Sequence, residues 1–472
     1  MIYVVTLLSV ILFVMYNYVF IKLYQLNSYN IKSFLKNIFS FKLSLGDKNK
    51  VVFTKRMIRF VAVFAILSFA IFFVINFFLK NFWIILLDYF VVFLFSPIVI
   101  CASHYSCMPV EIVIKKAYIS KAKKKLKKLK VVRIGITGSY GKTSTKNILK
   151  TLLEKEYKVC ATPKNFNTEM GITKTILENL DDDDVLIAEM GARKKGDIEV
   201  LAKMIKPNYG IITTIGPQHI ETFKNIQTIE ETKNELAKNL DENGIMIFNG
   251  DSKSTKKLYH LFQGEKYLAC DEEGFAYAKN ISLNNQGSRF DLIIDGKCLK
   301  CSTKLLGKCN INNIVTACAL AYLMGITSQD IISAVKSLQP SPHRLEIIKN
   351  NGVVIIDDSY NSNLVGAKEA LEVLSNFDGR KIVVTPGIVE MGKSQSQVNF
   401  NLGCQIADVA DFIVIMNEMN KNFILSGAIS HNFDRKKILF AGSRRKQKEI
   451  LSLLTCEKCV ILFENDLPDN YK

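Results

Sequence analysis

The glycine-rich segment Gly135-Ile-Thr-Gly-Ser-Tyr-Gly-Lys-Thr-Ser144 constrains the fold of this chain more than any other feature. It follows a β-branched apolar run and precedes a helix-length segment. In that setting Gly138 and Gly141 let backbone N–H groups face phosphate oxygens, next to the positive end of a helix. Lys142 would reach the β- and γ-phosphates of a nucleotide, and Thr143 would bind Mg²⁺. The segment therefore predicts a nucleotide-binding α/β domain.

The same segment departs from strict P-loop spacing at one position. Isoleucine stands at position 136, where the strict motif has glycine. The order of strand, loop and helix is nevertheless right, so a chance glycine turn is the weaker explanation. Ser139 and Ser144 are therefore included among the residues expected to contact the nucleotide.

From Val131 onward, short apolar runs alternate with helix-length segments, which is typical of α/β domains with mostly parallel sheets. Around residues 275–306 the pattern changes to alternating strands with Asn-Asn-Gln-Gly and Asp-Gly turn signals, which predicts antiparallel hairpins at a sheet edge. In the first α/β region the pattern predicts strands at 131–136, 184–188, 209–213 and 244–248, and helices at 142–156, 197–205 and 229–240.

A segment with two prolines, Gln339-Pro-Ser-Pro-His343, divides the α/β part of the chain, because proline cannot continue a helix. Strands and helices alternate again after it. We therefore predict a central P-loop ATPase domain over residues 131–339 and a smaller Rossmann-like C-terminal domain over 340–472. The second region's predicted strands are 353–357, 381–385, 411–416, 437–440 and 460–463.

The N-terminal part of the chain is apolar enough to predict membrane insertion. Three of its stretches have the roughly 20 residues that a helix needs to cross a bilayer. Basic residues dominate the loop from Lys22 to Arg56 and the segment 109–130, and the positive-inside rule assigns both to the cytoplasm. We therefore predict a multi-pass protein of the cell membrane with cytoplasmic catalytic domains. Its membrane region would cover 1–108, with transmembrane helices at about 2–20, 57–79 and 82–102, and a basic juxtamembrane linker would cover 109–130.

The formal net charge of +18 is compatible with anionic lipid or with nucleic acid. The lysine-rich segments have no interleaved aromatic residues and no recognisable nucleic-acid-binding module beside them. Lipid headgroups are therefore the favoured partner, and nucleic acid is not expected.

Two further polar residues follow predicted strands. Glu189 ends a buried apolar run, at the place where a P-loop fold has an acidic magnesium ligand. His219 lies in the loop after the next predicted strand and could bind a metal, although a lone loop histidine is usually solvated. Both are candidate metal ligands together with Thr143.

As an ordered set, these segments resemble the Mur ligase family, most closely its D-alanyl-D-alanine-adding branch. The matching segments extend from Gly135 to about Gly403. Besides the glycine-rich loop they are Asn165-Phe-Asn167, Ala188-Glu-Met-Gly-Ala192, the His219 loop, Glu231-Thr-Lys-Asn-Glu235, Asn310-Ile-Asn-Asn313, Arg344 and Asp357-Asp-Ser-Tyr-Asn-Ser-Asn363.

The resemblance implies roles for residues that show no signal of their own. Lys233 falls where the family has a lysine that CO₂ converts to a carbamate. With Glu189 and His219 it would hold a second Mg²⁺. Asn310 resembles the asparagine beside the adenine. In the C-terminal domain, the residues that resemble those closing over ATP are Arg344 and Asp358, flanked by Tyr360 and Asn361.

The implied activity is ATP-dependent amide bond formation through an acyl phosphate. An amino acid or dipeptide would be joined to a carboxylate acceptor, on a cell-wall or related peptide precursor at the membrane. The expected cofactors are ATP and two Mg²⁺ ions, and Lys142, His219, Lys233 and Arg344 are the expected catalytic residues.

Three departures from the family concern the acceptor. The family's N-terminal domain, which holds the UDP-sugar, is replaced by the apolar stretches. Gly307-Lys-Cys-Asn310 stands where the family usually has Gly-Arg-His-Asn. The C-terminal segment 462–471 differs from the expected lysine-glycine-serine loop.

Two alternatives remain. A polyglutamate-forming ligase of the folylpolyglutamate synthetase type shares the ATP domain, although the Asp357–Asn363 segment disfavours it. A membrane-tethered nucleotide-binding protein without catalysis is the other, and it has no chemical need for Glu189, His219 and Lys233 together.

Overall fold

A computed structural model describes residues 15–27, 29–39, 51–78, 82–350, 352–360 and 363–467. Contacts divide the chain into two compact units, Met1–Tyr118 with Leu467–Lys472 and Ile119–Asp466. The first unit is helical in its described residues, and the second contains two β-sheets. Both sheets carry residues of the predicted site.

Long helices form the described part of the first unit. They are α1, described over residues 15–26, α2 (Ile31–Phe39), α3 (Lys55–Phe78) and α4 (Phe82–Lys128), which continues into the second unit. Aromatic and aliphatic side chains of all four helices form a common buried cluster that includes Tyr24, Phe34, Phe60 and Ile100.

The prediction of three transmembrane helices in a multi-pass membrane protein is wrong. Within the described residues a single stretch, Phe95–Lys128, is long and apolar enough to cross a membrane, and core helices of soluble proteins meet the same criterion. The physical reason is that apolar residues from all three stretches, such as Phe20, Phe64 and Val99, are buried against one another. Most of the predicted first span lies outside the described residues.

The larger sheet of the second unit has nine strands, in the order β2-β3-β1-β4-β5-β6-β7-β8-β9. Neighbours from β2 to β7 are parallel, while β7, β8 and β9 form antiparallel hairpins at one edge. The strands are β1 (Val132–Thr137), β2 (Val159–Ala161), β3 (Val185–Glu189), β4 (Tyr209–Ile212), β5 (Ile245–Asn249), β6 (Lys266–Ala269), β7 (Ala276–Asn284), β8 (Gly287–Ile294) and β9 (Lys297–Thr303).

Helices cover both faces of this sheet because its central strands are apolar on both sides. On β3, Val185 and Ile187 join one buried cluster, whereas Leu186 and Ala188 join the cluster on the opposite face. The helices are α5 (Lys142–Leu153), α6 (Glu169–Glu178), α7 (Asp197–Ile205), α8 (Ile220–Phe223), α9 (Ile226–Lys238), α10 (Lys253–Leu261), α11 (Lys308–Leu323) and α12 (Ser328–Ser337).

The smaller sheet has six strands in the order β10-β11-β15-β12-β13-β14, and all neighbours are parallel except the β10–β11 pair. It too is packed on both faces. Its strands are β10 (Glu346–Asn350), β11 (Val353–Asp358), β12 (Arg380–Thr385), β13 (Phe412–Ile415), β14 (Ile438–Phe440) and β15 (Cys459–Glu464); its helices are α13 (Leu364–Ser375), α14 (Gln395–Ala407), α15 (Glu418–Ser430) and α16 (Arg444–Leu454).

The prediction of an α/β fold with mostly parallel sheets is therefore confirmed, and so are the edge hairpins. The end of α4 packs on the larger sheet through Ala122 and Leu126, within the segment expected to be a linker. The domain limits 131–339 and 340–472 stay predictions. In both sheets the carboxyl ends of the parallel strands carry the polar residues, as is usual where open α/β sheets bind ligands.

Candidate active site

The glycine-rich loop joins β1 to α5 and requires glycine at two positions. Gly138 has φ +149° and Gly141 has φ +79°, which side-chain-bearing residues rarely adopt. A Cβ at Gly138 would lie 1.9 Å from Thr213 Oγ1, and one at Gly141 would lie 2.3 Å from Asn313 Oδ1. The loop backbone therefore turns tightly at the start of α5, where helix N–H groups are free to bind an anion.

Lys142 folds back over this loop. Its Nζ donates to the carbonyl oxygens of Gly138 and Ser139, both at 2.8 Å. Burial lowers the pKa of Lys142 to about 8, Glu189 opposes this shift, and Arg344 adds to it. The amine thus lies in the loop that is predicted to hold the phosphates.

The glycine-rich loop is bonded to the loop that carries His219. Ser139 Oγ donates to the Gly216 carbonyl at 2.9 Å, and Tyr140 Oη donates to the Pro217 carbonyl at 2.6 Å. The backbone N–H of Ser139 donates to Thr214 at 3.0 Å. These hydrogen bonds fix the two loops relative to each other. They also engage the Ser139 hydroxyl with the Gly216 carbonyl.

Glu189, at the end of β3, is the centre of a buried polar cluster. Its Oε2 accepts hydrogen bonds from Thr143 Oγ1 at 2.9 Å and from Lys146 Nζ at 3.1 Å, while Asn167 Nδ2 donates to its Oε1 at 3.1 Å. Glu189 and Lys146 are almost fully buried. The parallel pairing of β1 with β3 aligns their carboxyl ends, which brings the loop hydroxyl and the carboxylate together. Hydroxyl and carboxylate oxygens are the ligands that Mg²⁺ prefers, so the donor set fits that ion.

His219 lies immediately before α8 and pairs with a residue from the smaller sheet. Its Nδ1 is in hydrogen-bond contact with Glu390 Oε2, and both side chains are half-buried. This hydrogen bond lowers the pKa of Glu390, although burial opposes the shift. The structure therefore links the predicted metal ligand to the loop after β12.

Lys233 lies on α9, is 2% exposed, and makes no hydrogen bond or ion pair with any described residue. Burial lowers its pKa well below the ordinary value, and the charge of Lys142 adds to the effect, whereas Asp197 and Glu235 oppose it. A buried lysine without a carboxylate partner favours the neutral amine.

A cleft of about 140 Å³ opens beside the start of α5 and contains three of the predicted nucleotide contacts, Ser144, Asn310 and Arg344. Asn310 Nδ2 donates to the Leu306 carbonyl at 2.8 Å. The cleft lies between α5, α11 and the proline-containing segment, and its other lining residues are Asn147, Ile148, Thr151, Leu305 and Ser337–Ser341.

Arg344 stacks on Tyr360, with its guanidinium carbon 4.6 Å from the ring centroid. Burial raises the pKa of Asp358 to about 7, Glu464 adds to the rise, and Arg344 opposes it. Burial also raises the pKa of Tyr360. Asn361 lies outside the described residues.

Three contributors to this site had no predicted role. Lys146 lies one helical turn after Lys142, so the helical period placed it on the same face. Asn167 belongs to a segment that the resemblance picked out, without a role. Glu390 had no signal, because it reaches His219 only through the packing of the two sheets.

The fold and this constellation define a class of protein, an α/β enzyme with a P-loop-like nucleotide site on one sheet and further polar side chains from a second. Residues 136–321 match the family described as the Mur ligase middle domain. The UDP-N-acetylmuramoyl-tripeptide--D-alanyl-D-alanine ligase of Bacillus subtilis (strain 168) is 29% identical over 321 residues, which are 67% of this chain and 69% of the relative. These residues therefore belong to the Mur ligase family, and the protein is an ATP-dependent, amide-forming ligase.

Solved structures agree with this assignment. The MurF ligase from Thermotoga maritima in complex with ADP has a TM-score of 0.68 and 26% identity, covering 75% of this chain and 80% of that one. The Mycobacterium tuberculosis folylpolyglutamate synthase, complexed with ADP and AMPPCP, has a TM-score of 0.59 at 14% identity, covering 78% and 97%. The second likeness shows the fold alone, so it lends the polyglutamate alternative less support.

Proposed function

We propose that this protein joins the carboxylate of a UDP-linked muropeptide to the amino group of an amino acid or dipeptide, with ATP as the energy source. The names of the relatives, which specify a UDP-N-acetylmuramoyl-tripeptide and D-alanyl-D-alanine, support this choice. Peptidoglycan precursor synthesis is then the process that uses the product.

The observation that carries the proposal is the contact between Thr143, at the end of the glycine-rich loop, and the buried carboxylate of Glu189. The Lys142 amine lies over the same loop, on the carbonyl oxygens of Gly138 and Ser139. A hydroxyl and a carboxylate suit Mg²⁺, while the backbone N–H groups at the start of α5 and the Lys142 amine suit phosphate oxygens. Together they support a site for a nucleotide triphosphate with its Mg²⁺.

The burial of Lys233 also supports a carbamate. Carbamate formation needs a neutral amine, and the lowered pKa provides one. The carbamate would be an anionic oxygen ligand, which with Glu189 and His219 would hold a second Mg²⁺. Bound Mg²⁺ would supply the positive charge that lets a carboxylate approach the γ-phosphate.

Other residues of this chain would contact the phosphates and the adenine of ATP. Backbone N–H groups at the start of α5 and the Lys142 amine would hold the β- and γ-phosphates. Asn310 would contact the adenine side, and Ser144 lines the same cleft. Arg344 would counter the charge on the transferred phosphoryl group.

The reaction would run in two transfers. The acceptor carboxylate attacks the γ-phosphorus and ADP leaves, giving an acyl phosphate. The amino nitrogen then attacks the acyl carbon, loses a proton, and expels phosphate that carries one former carboxylate oxygen. Closure of the predicted C-terminal domain at the proline-containing segment would exclude water from the acyl phosphate, which water would otherwise hydrolyse.

The test is ADP release by the full-length protein with ATP, Mg²⁺, UDP-N-acetylmuramoyl-tripeptide and D-alanyl-D-alanine, with each substrate omitted in turn. Release that requires both substrates is expected. Lys142→Met should abolish it, whereas Lys150→Met, which removes a half-exposed ion pair with Glu154 on the same helix, should not. Release supported only by a folate and L-glutamate would favour the polyglutamate alternative.

A further inference from the structure

The contact between His219 and Glu390 joins loops that are 171 positions apart in the chain. His219 follows β4 of the larger sheet, and Glu390 follows β12 of the smaller one. In the proposed function His219 is a metal ligand, whereas Glu390 has no assigned role. The loop that carries Glu390 is held in place by several buried hydrogen bonds.

Three buried asparagines hold the loop that presents Glu390. Asn399 on α14 accepts from the Ile388 N–H and donates to the Ile388 carbonyl, both at 2.8 Å. Asn420 on α15 donates to the Pro386 carbonyl at 3.1 Å, and Asn465 after β15 donates to the Gly387 carbonyl at 2.7 Å. Three elements of the smaller sheet thus fix a single loop, which is more support than an ordinary surface turn has.

The backbone is unusual on both sides of this contact. His219 has φ +52° and Glu390 has φ +64°, a backbone region that residues with side chains seldom occupy. Both loops therefore hold uncommon conformations at the point where they meet.

The chemistry of imidazole ligands explains why this contact matters. A histidine that binds a metal through one ring nitrogen usually donates its other N–H to a carboxylate, which fixes the tautomer and the ring orientation. Glu390 occupies Nδ1 of His219, so Nε2 is the nitrogen that remains for a metal.

We propose that Glu390 is a positioning residue that orients His219 toward the second metal ion. The smaller sheet thereby completes a metal site whose direct ligands all lie on the larger sheet. This inference rests on the proposed function, in which His219 is a metal ligand. It predicts that binding of that ion and packing of the loop over residues 386–391 are coupled.

Mn²⁺ is a suitable probe, and its binding to the full chain with saturating ADP can be measured by calorimetry and electron paramagnetic resonance. We expect Glu390→Gln to weaken the His219-dependent Mn²⁺ site about 10- to 100-fold. ADP affinity without metal should stay unchanged. Glu449→Gln is the matched control, because the Glu449 carboxylate forms an exposed ion pair with Arg445 on the same helix.

A double-variant cycle separates an effect through His219 from a general loss of structure. In a His219→Ala background, Glu390→Gln should cause no further loss of Mn²⁺ affinity. An equal loss in both backgrounds, or wild-type Mn²⁺ affinity for Glu390→Gln, would overturn the inference. Neither measurement uses an acceptor or an amine, so failure of the ligase proposal would be seen separately, in the ADP-release assay.

Discussion

Replacing Lys146 by methionine tests the electrostatics of the site. Lys146 Nζ lies 3.1 Å from Glu189 Oε2 and 2.6 Å from the Lys164 carbonyl oxygen, and the side chains of the ion pair are 2% and 1% exposed. Methionine preserves the length and helix propensity of the side chain but removes the charge. Glu189 then keeps its burial without its cation.

The size of the effect follows from this geometry. At an effective dielectric constant of 20, two charges 3.1 Å apart attract by about 5 kcal/mol. Removing one partner of a buried pair typically destabilises by about 3–5 kcal/mol, because the other charge stays desolvated. We therefore expect Lys146→Met to lower the free energy of unfolding by about 3–5 kcal/mol. Lys368→Met, which removes an exposed pair with Glu372, should change it by under about 1 kcal/mol.

The assay is urea unfolding with and without Mg²⁺ and ADP. Ligand at about 100 times its Kd stabilises the folded protein by about 2.7 kcal/mol. The gain should be larger for Lys146→Met, because the dication also compensates Glu189. Adding Glu189→Gln to Lys146→Met should restore part of the loss in metal-free buffer. Destabilisation by under about 1 kcal/mol, or strictly additive effects of the two substitutions, would refute the reasoning.

Three further substitutions test other parts of the site. Lys233→Arg should abolish turnover as completely as Lys233→Ala, because arginine forms no carbamate; acetate or formate should partly restore the alanine variant, and near-wild-type Lys233→Arg activity in CO₂-depleted buffer would exclude the carbamate. Glu369→Ala removes the carboxylate that accepts a hydrogen bond from the Cys309 N–H, at 2.8 Å, at the start of α11. The free energy of unfolding should fall by about 1 kcal/mol and the KM for ATP should rise. Glu369→Gln should retain most of the stability and most of the ATP affinity. Gly138→Ala should prevent nucleotide binding, measured by calorimetry, because the added Cβ would collide with Thr213. Gly196→Ala is the control, because Gly196 also has a positive φ of +89° but a Cβ added there would have no described neighbour within 4 Å. This variant should still bind the nucleotide.

Local patterns in the sequence were sufficient to predict the nucleotide loop. The apolar runs predicted β1 and β3 within one residue at each end, and helix α7 over its observed range. Since parallel neighbours end at the same edge of a sheet, Thr143 and Glu189 could be expected to meet, and they do. These predictions depend on periods of a few residues and on one topological rule, so they need no knowledge of distant contacts.

Other features depend on packing between distant segments. No local rule connects His219 with Glu390, or Cys309 with Glu369, because each pair meets across the two sheets. The prediction of transmembrane helices in the N-terminal apolar stretches was wrong for a related reason. The length and hydropathy of a segment do not reveal whether its apolar residues pack against other parts of the protein. Phe20 and Phe60, for example, belong to the same buried cluster.

The central claim is that the acceptor carboxylate is phosphorylated by ATP before the amide forms. The most direct test uses an acceptor with both carboxylate oxygens labelled with ¹⁸O and measures the isotope content of the released phosphate by mass spectrometry. The account predicts one ¹⁸O atom in each phosphate, released only when the amine substrate is present and in step with amide formation. Unlabelled phosphate, or phosphate released at the same rate without the amine, would contradict the account.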